Sequence, residues 1–113
     1  MKVLNQENFH EEINKDKLVV VDFYADWCMP CRLLQPVLEK LEKEFSDVEY
    51  VEFAKLNTDE NPQIAIDFAI FSIPTELMFY KGEVVGSFIG AMPESVVRKE
   101  IEKALEKAAA VQG

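Results

Sequence analysis

The chain has 113 residues, the length of one ordinary domain, and we expect residues 1–113 to form a single domain. Its 12 Lys and Arg residues against 21 Asp and Glu residues give a formal net charge of −9, which argues against a nucleic-acid binder because phosphate binding needs clustered basic residues. Hydrophobic residues make up 49% of the chain, enough for a buried core and too many for an intrinsically disordered protein.

The N-terminal quarter predicts strand, helix and strand. Val3-Leu4 favours a short strand, and Asn5 is a suitable N-cap for a helix in which Phe9 and Ile13 share one face. The segment from Lys17 to Ala25 is rich in Val and aromatic residues and predicts a buried strand, as in the centre of an α/β sheet.

The middle of the chain continues this alternation. A helical period runs from Cys28 to Phe45, and Pro36 inside it is expected to kink the helix because proline removes a backbone hydrogen bond. Tyr50 to Asn57 predicts the next strand. Asn61 is expected to be the N-cap of a short helix that begins at Pro62 and continues through Phe68.

The last third predicts a hairpin and a final helix. Strands Glu76–Tyr80 and Glu83–Ile89 are joined at Lys81-Gly82, and Pro93 opens a helix whose tail, from Ala109 to Gly113, is expected to fray. The apolar positions of that helix recur at helical spacing: Val97, Ile101, Ala104 and Ala108. The order β-α-β-α-β-α-β-β-α predicts the α/β class, with a mixed central sheet of about five strands and about four helices on its two faces.

The two cysteines, Cys28 and Cys31, stand where the buried strand gives way to the long helix. Unpaired N–H groups and the macrodipole at a helix N-terminus stabilise a thiolate, so the pKa of Cys28 should fall. Cys31 lies one turn further on and can reach the first sulfur, while Pro30 suits the first helical turn because it has no N–H to donate. A bridge across so short a loop restricts the unfolded chain little, which favours a reactive pair over a structural disulfide.

Metal binding is the main alternative for this cysteine pair. Zinc takes three or four protein ligands, whereas the chain offers two cysteines and His10, which falls in a different predicted helix. We expect no metal, although a site with two cysteines from each of two chains is not excluded by the sequence.

The run Asp22-Phe23-Tyr24-Ala25-Asp26-Trp27-Cys28-Met29-Pro30-Cys31 resembles the active-site segment of thioredoxins. The resemblance extends along the chain. Lys55 to Pro62 is similar to the family's Lys-x-Asn-x-Asp segment, Ile73-Pro74-Thr75 to the segment with its cis-proline, and Phe88-Ile89-Gly90 to the glycine near the active-site rim. Pro36 falls where the family has its helix-kinking proline. The resemblance implies the thioredoxin fold and a protein thiol–disulfide oxidoreductase.

The resemblance also implies catalytic roles. Cys28 would attack a substrate disulfide, Cys31 would resolve the mixed disulfide, and Asp22 would accept the proton of Cys31. From the residues alone, Asp22 either points to a wet face of its strand or is buried with a raised pKa. Lys55 is expected near Asp22, where it would influence that titration.

A flat apolar docking surface around the sulfurs is implied as well. Its expected members are Trp27, Met29, Ile73, Pro74, Gly90 and Ala91. Met29 departs from the glycine that thioredoxins commonly have between their cysteines, and Tyr24 and Glu76 also replace the residues usual at their positions. No role is expected for those last two.

The implied partners are disulfide-containing protein substrates and a thioredoxin reductase, and we expect a monomer. The chain has no nucleotide-binding glycine motif, so no cofactor of its own is expected. A disulfide-forming or isomerising enzyme and a redox-inactive binding module remain alternatives.

Apolar runs such as Leu18–Val21 fall far short of the roughly 20 residues of a membrane helix. Residues 1–7 turn polar too early for a secretory signal, so a cytoplasmic protein is expected.

Overall fold

The computed structural model describes residues 1–112, which form a β-sheet and four helices in the predicted order. The strands are Lys2–Leu4 (β1), Leu18–Tyr24 (β2), Val51–Asn57 (β3), Thr75–Tyr80 (β4) and Glu83–Ile89 (β5). The helices are Phe9–Ile13 (α1), Met29–Glu44 (α2), Pro62–Asp67 (α3) and Glu94–Gln112 (α4).

The sheet is mixed, as predicted, with strand order β1-β3-β2-β4-β5. β3 pairs in parallel with β1 and β2, because helices α1 and α2 carry the chain across the sheet between successive strands. β4 is antiparallel to both β2 and β5, and the hairpin turns at Lys81-Gly82 as the sequence predicts. β2 therefore lies at the centre, which explains why residues 18–23 are all buried.

The helices cover both faces of this sheet. Residues of α2 and α4 pack with Leu18 and Val20 of β2, whereas residues of α1 and α3 pack with Val19 and Val21. Side chains of a strand alternate between the faces. Asp22 is two positions after Val20 and so lies on the same face of the sheet. It therefore faces the layer that contains α2.

Asn5 caps the turn that leads into α1. The assigned bounds of the helix begin at Phe9, and Asn8 before it makes no capping hydrogen bond to the helix. The side-chain oxygen of Asn5 accepts hydrogen bonds from the backbone N–H groups of Glu7 at 2.8 Å and Asn8 at 3.0 Å. The carbonyl of Asn5 accepts from the N–H of Phe9 at 3.0 Å, and Asn8 Oδ1 accepts from the N–H of Asn5 at 2.8 Å, so Asn5 makes the predicted N-cap contacts one turn ahead of α1.

Asn61 stands at the N-cap of α3, but its side chain makes no capping hydrogen bond. Its Nδ2 donates to the carbonyl of Asn57 at 3.0 Å, and its Oδ1 accepts from the N–H of Gln6 at 3.0 Å. The side chain therefore joins two loops, and it accepts no hydrogen bond from the backbone N–H groups in the first turn of α3.

Helix α4 continues to Gln112, and Gly113 lies outside the described residues, so the fraying expected from Ala109 stays a prediction. Alanine is the strongest helix former, and residues 108–110 are all alanine. Pro36 lies inside α2, which continues through it to Glu44. The kink at Pro36 stays a prediction. Among residues 1–112 no helix is both long and apolar enough to cross a membrane.

Candidate active site

Cys28 occupies the N-terminus of α2, as the sequence predicts. It is the N-cap residue, with extended backbone angles of φ −86° and ψ 109°, and the helix begins at Met29. The backbone N–H of Cys31 donates to Cys28 Sγ at 3.3 Å. This amide and the helix macrodipole both place positive potential at the sulfur, so the local geometry favours a thiolate at Cys28 in the reduced protein.

Cys28 and Cys31 form a disulfide, and their Cα atoms lie 5.3 Å apart. Both residues are buried, with 4% and 3% of their surface exposed. Pro30 stands between them in the first turn of α2. Backbone N–H groups in the first turn have no carbonyl partner within the helix, so a proline there removes no hydrogen bond. The geometry confirms that the two sulfurs can reach each other across one helical turn.

The loop at Ile73-Pro74 contacts Cys28, and the loop at Gly90 contacts Pro74 in turn. The carbonyl oxygen of Ile73 lies 3.7 Å from Cys28 Sγ, and the bond between Ile73 and Pro74 is cis, as the resemblance implies. The N–H of Gly90 donates to the carbonyl of Pro74 at 2.8 Å, and Gly90 has φ +95°, a conformation that favours glycine. Ala91 follows it and is exposed.

Large apolar side chains surround the disulfide on the surface. Trp27 is 70% exposed and Met29 59% exposed, on either side of Cys28. The indole Nε1 of Trp27 donates to Asp59 Oδ2 at 2.8 Å, which fixes the ring beside the helix N-terminus. The sequence analysis assigned no role to Asp59, although it lies in the Lys-x-Asn-x-Asp segment. It also assigned none to Phe71, which is 92% exposed two residues before Ile73.

Beneath α2 the sheet carries a row of titratable side chains on three adjacent strands. Asp22 on β2 is aligned with Lys55 on β3 and with Glu76 on β4. Asp22 is 2% exposed and Glu76 is fully buried, so the buried alternative for Asp22 is the observed one. Lys55 is half-buried, and its Nζ lies 5.5 Å from the centre of the Tyr24 ring.

This arrangement sets the direction of each pKa. Burial raises the pKa of Asp22, while hydrogen bonding with Glu76 and the positive charge of Lys55 act in the opposite direction. Burial raises the pKa of Glu76 well above its ordinary value, and the neighbouring Asp22 raises it further. The expected influence of Lys55 on Asp22 has this electrostatic basis. Glu76 is the residue whose part in the row the sequence analysis missed.

His10 is exposed in α1, which packs on the opposite face of the sheet from α2. Within the part of the chain that the structure describes, no three His, Cys, Asp or Glu side chains are grouped so that they could hold a metal ion.

A dithiol that closes to a disulfide at a helix N-terminus, beside exposed apolar side chains, can exchange with a disulfide of another molecule. The fold and this site together define an α/β thiol–disulfide oxidoreductase. The sequence model of the thioredoxin family matches residues 1–103. The chain belongs to the thioredoxin family.

Individual relatives agree with this assignment. A thioredoxin of Chlorobaculum thiosulfatiphilum is 45% identical over 98 residues, which are 86% of this chain and 89% of the relative. A thioredoxin of Alicyclobacillus acidocaldarius is 42% identical over 103 residues, 91% of this chain and 96% of the relative. A chloroplastic M-type thioredoxin of Spinacia oleracea is 45% identical over 90% of this chain and 56% of the relative.

A solved structure is similar as well. It comes from work on the thiol-resolving mechanism in yeast mitochondrial 1-Cys peroxiredoxin via glutathione/thioredoxin systems. The matched chain has a TM-score of 0.78 and 33% identity, and the match covers 90% of this chain and 94% of that one.

Proposed function

We propose that the protein works in the reducing direction on protein disulfides. The Cys28 thiolate attacks a substrate disulfide and forms a mixed disulfide, and the first substrate thiol leaves. Cys31 then attacks Cys28 Sγ, so the second substrate thiol leaves and the Cys28–Cys31 disulfide forms. Two electrons pass from the protein to the substrate, and a thioredoxin reductase returns the dithiol form. The hydrogen bond from the Cys31 N–H to Cys28 Sγ at the N-terminus of α2 carries this proposal.

Asp22 is the proposed acceptor of the Cys31 proton. It lies on the sheet face that α2 covers, and its burial raises its pKa towards the range in which a carboxyl group can accept and release a proton near neutral pH. Cys31 belongs to the buried stripe of α2 that faces this sheet, so thiol and carboxyl are on facing surfaces.

The proposed docking surface comprises the exposed side chains beside Cys28 and the loops that reach it. Its exposed members are Trp27, Met29 and Ala91; Ile73 and Gly90 are half-buried, and Pro74, which the sequence also placed on this surface, is buried. The position of the Ile73 carbonyl next to Cys28 Sγ supports docking of an extended substrate segment, which binds through backbone hydrogen bonds. Apolar contacts with Trp27 and Met29 would add affinity without demanding one substrate sequence.

We further propose that residues 1–113 act as one domain, as a monomer, without a cofactor, metal, nucleic acid or membrane contact. The proposed location is the cytoplasm, where a reductase can keep the pair reduced and the protein can serve in electron transport. The net charge of −9 supports the absence of nucleic-acid binding.

Trapping of the mixed disulfide tests this mechanism. With Cys31→Ser, incubation with a disulfide-containing protein should accumulate a stable adduct on Cys28, visible on a non-reducing gel and located by peptide mass spectrometry. The matched control, Cys28→Ser, should accumulate little. Faster alkylation of Cys31 than of Cys28 in the reduced protein, or adducts mainly in the Cys28→Ser variant, would contradict the assigned roles.

A further inference from the structure

Glu76 and Asp22 are direct cross-strand partners on β4 and β2, so their side chains leave the same face of the sheet. We propose that Glu76 is a positioning residue that shares one proton with Asp22 and thereby keeps Asp22 ready to accept the proton of Cys31. The inference rests on the proposed role of Asp22. It adds a residue from β4 to the proton path between the dithiol and the sheet.

The contact between the two carboxyl groups requires a proton. They are directly opposite each other on adjacent antiparallel strands, where the Cβ atoms of paired residues lie about 5 Å apart, so the two carboxyl groups share one buried space. Among residues 1–112, no donor group is hydrogen-bonded to Asp22 Oδ1 or to either carboxyl oxygen of Glu76. Ionised carboxylates only accept hydrogen bonds, and two adjacent negative charges that are almost fully buried repel each other strongly. A single shared proton turns this repulsion into a hydrogen bond.

The surroundings place that proton on Glu76. Lys55, on β3, is aligned with Asp22 and favours its ionised form, whereas the residue aligned with Glu76 on β5 is the apolar Phe88. Other titratable groups on this side include Tyr24, two positions after Asp22, and Tyr80, four positions after Glu76. Helix α2 adds Cys31, and Cys28 lies at its N-terminus. The buried residues of α4 are all apolar, so within the described chain this helix brings no charge to the pair.

The shared proton suits the resolving step. Cys31 gives its proton to the Asp22 carboxylate as its sulfur attacks Cys28 Sγ, and Glu76 stays protonated throughout. The departing substrate thiolate then takes up a proton, Asp22 returns to the carboxylate, and charge and protons balance. The hydrogen bond from Glu76 holds the pKa of Asp22 below the value that burial alone would produce, so more of the protein is competent at neutral pH.

The test compares Glu76→Gln, which keeps a hydrogen-bond donor, with Glu76→Leu, which removes it. Infrared difference spectra of the reduced wild type should show the pair losing its two protons in two separate steps across the full pH range, with one proton, and hence a protonated carboxyl band, remaining at neutral pH. Glu76→Gln should show one step. In Glu76→Leu the remaining step should lie about 1 pH unit or more higher, because the Asp22 carboxylate has lost its donor.

Resolution kinetics provide the functional readout. At a pH below both midpoints, Glu76→Leu should resolve a Cys28 mixed disulfide up to about tenfold more slowly than the wild type, and the rate should recover as pH rises. Glu76→Gln should stay within about twofold, since it keeps the donor to Asp22. Glu12→Gln is the matched control for the resolution rate, since Glu12 is a buried carboxylate on α1, which packs on the sheet face opposite α2, and it should leave that rate unchanged.

Absence of a protonated carboxyl band at neutral pH in the wild type would overturn the inference. So would a pH profile of Glu76→Leu that is identical to that of the wild type. The variant Asp22→Asn separates the two proposals. If it leaves resolution unchanged, the proposed function of Asp22 fails, while the two-step titration in the wild type still decides whether the proton is shared.

Discussion

Buried carboxyl groups lie in two places within the described chain, and the number of cations around them differs between the two. The first place is an ion-pair cluster of Lys2, Glu12, Lys15 and Glu52. Glu12 is only 7% exposed, but Lys2 Nζ lies 2.6 Å from one of its oxygens and Lys15 Nζ 2.7 Å from the other. Burial acts to raise the pKa of Glu12, yet the hydrogen bonds from Lys15 and Lys2 outweigh it and lower the pKa to about 2. The proton of this cluster falls on Glu52 instead, whose pKa is raised by burial and by its contact with Glu12.

The second place is the carboxyl pair, Asp22 and Glu76. No lysine or arginine is aligned with Glu76, and the pKa of each carboxyl group is raised. A buried carboxylate that is matched by cations stays charged at all moderate pH values and serves structure. A buried carboxyl group that cations match only in part, as Lys55 matches Asp22, has its pKa raised towards the range that proton transfer requires. The comparison supports a structural role for Glu12 and the proposed role in proton transfer for Asp22 and Glu76.

The largest effect is expected from Asp22→Asn. Resolution of a Cys28 mixed disulfide at neutral pH should slow at least about tenfold, since a positioned base contributes that much or more. The free energy of unfolding should hold or rise, because an unmatched buried carboxylate costs free energy on folding. Stopped-flow kinetics and denaturant unfolding provide the two measurements. If the rate of resolution is unchanged across about pH 6 to 9, Asp22 has no part in the mechanism. The difference in function between the carboxyl pair and the ion-pair cluster would then be contradicted.

The free energy of unfolding should depend on pH in opposite ways for Glu12 and for the pair Asp22 and Glu76. The native pKa values of the carboxyl pair are raised, so the stability they give is complete below their unfolded values near 4 and is lost as pH rises towards the native values. The pKa of Glu12 is lowered, so its contribution is present above its unfolded value and is lost as pH falls towards about 2.

Denaturant unfolding at a series of pH values checks this prediction. Asp22→Asn should reduce the loss of unfolding free energy as pH rises and leave the loss at acid pH unchanged. Glu12→Gln should reduce the loss at acid pH and leave the loss at higher pH unchanged. A single variant that reduced both losses would show that the clusters are not independent.

A smaller effect is expected from Glu12→Gln at neutral pH. The variant should lose about 1 kcal/mol of unfolding free energy, because its lysine partners are partly exposed and recover part of their hydration. Disulfide reduction should stay within about twofold of the wild type after correction for folded protein. Loss of activity at full folding would mean that the ion-pair cluster has a part in the chemistry.

The smallest effect is expected from Met29→Gly, which lies outside both clusters. The side chain is 59% exposed, whereas the N–H that contacts Cys28 Sγ belongs to Cys31, so the reduction potential should shift by about 30 mV or less. Reduction of bulky protein disulfides should weaken more than that of small disulfides, since apolar contact with a partner is lost. Equal losses on both substrate classes would show that Met29 acts through the redox couple.

Much of this fold follows from local sequence patterns. The buried apolar run of β2, the helical period of α2 and the hairpin at Lys81-Gly82 are properties of adjacent residues, so the element order and the position of Cys28 were predictable. The cap at Asn5 was predictable as well, because its hydrogen bonds reach only the next few residues.

The parts of the site that escaped prediction depend on strand register and on contacts between distant residues. Glu76 is 54 positions after Asp22, and only the antiparallel pairing of β2 and β4 brings them together. The hydrogen bond from Trp27 to Asp59 likewise joins two loops that are 32 positions apart. A single sequence shows that a carboxyl group interrupts an apolar strand, but not which residue lies opposite it.

The reduction potential of the Cys28–Cys31 couple tests most directly whether the protein is a reductant. It can be measured by equilibration with glutathione or with a reference dithiol, followed by quantification of the free thiols. We expect a value within a few tens of millivolts of about −270 mV, the value established for thioredoxin. A potential between about −180 and −120 mV, the range of enzymes that isomerise or form disulfides, would contradict the proposed direction of the reaction.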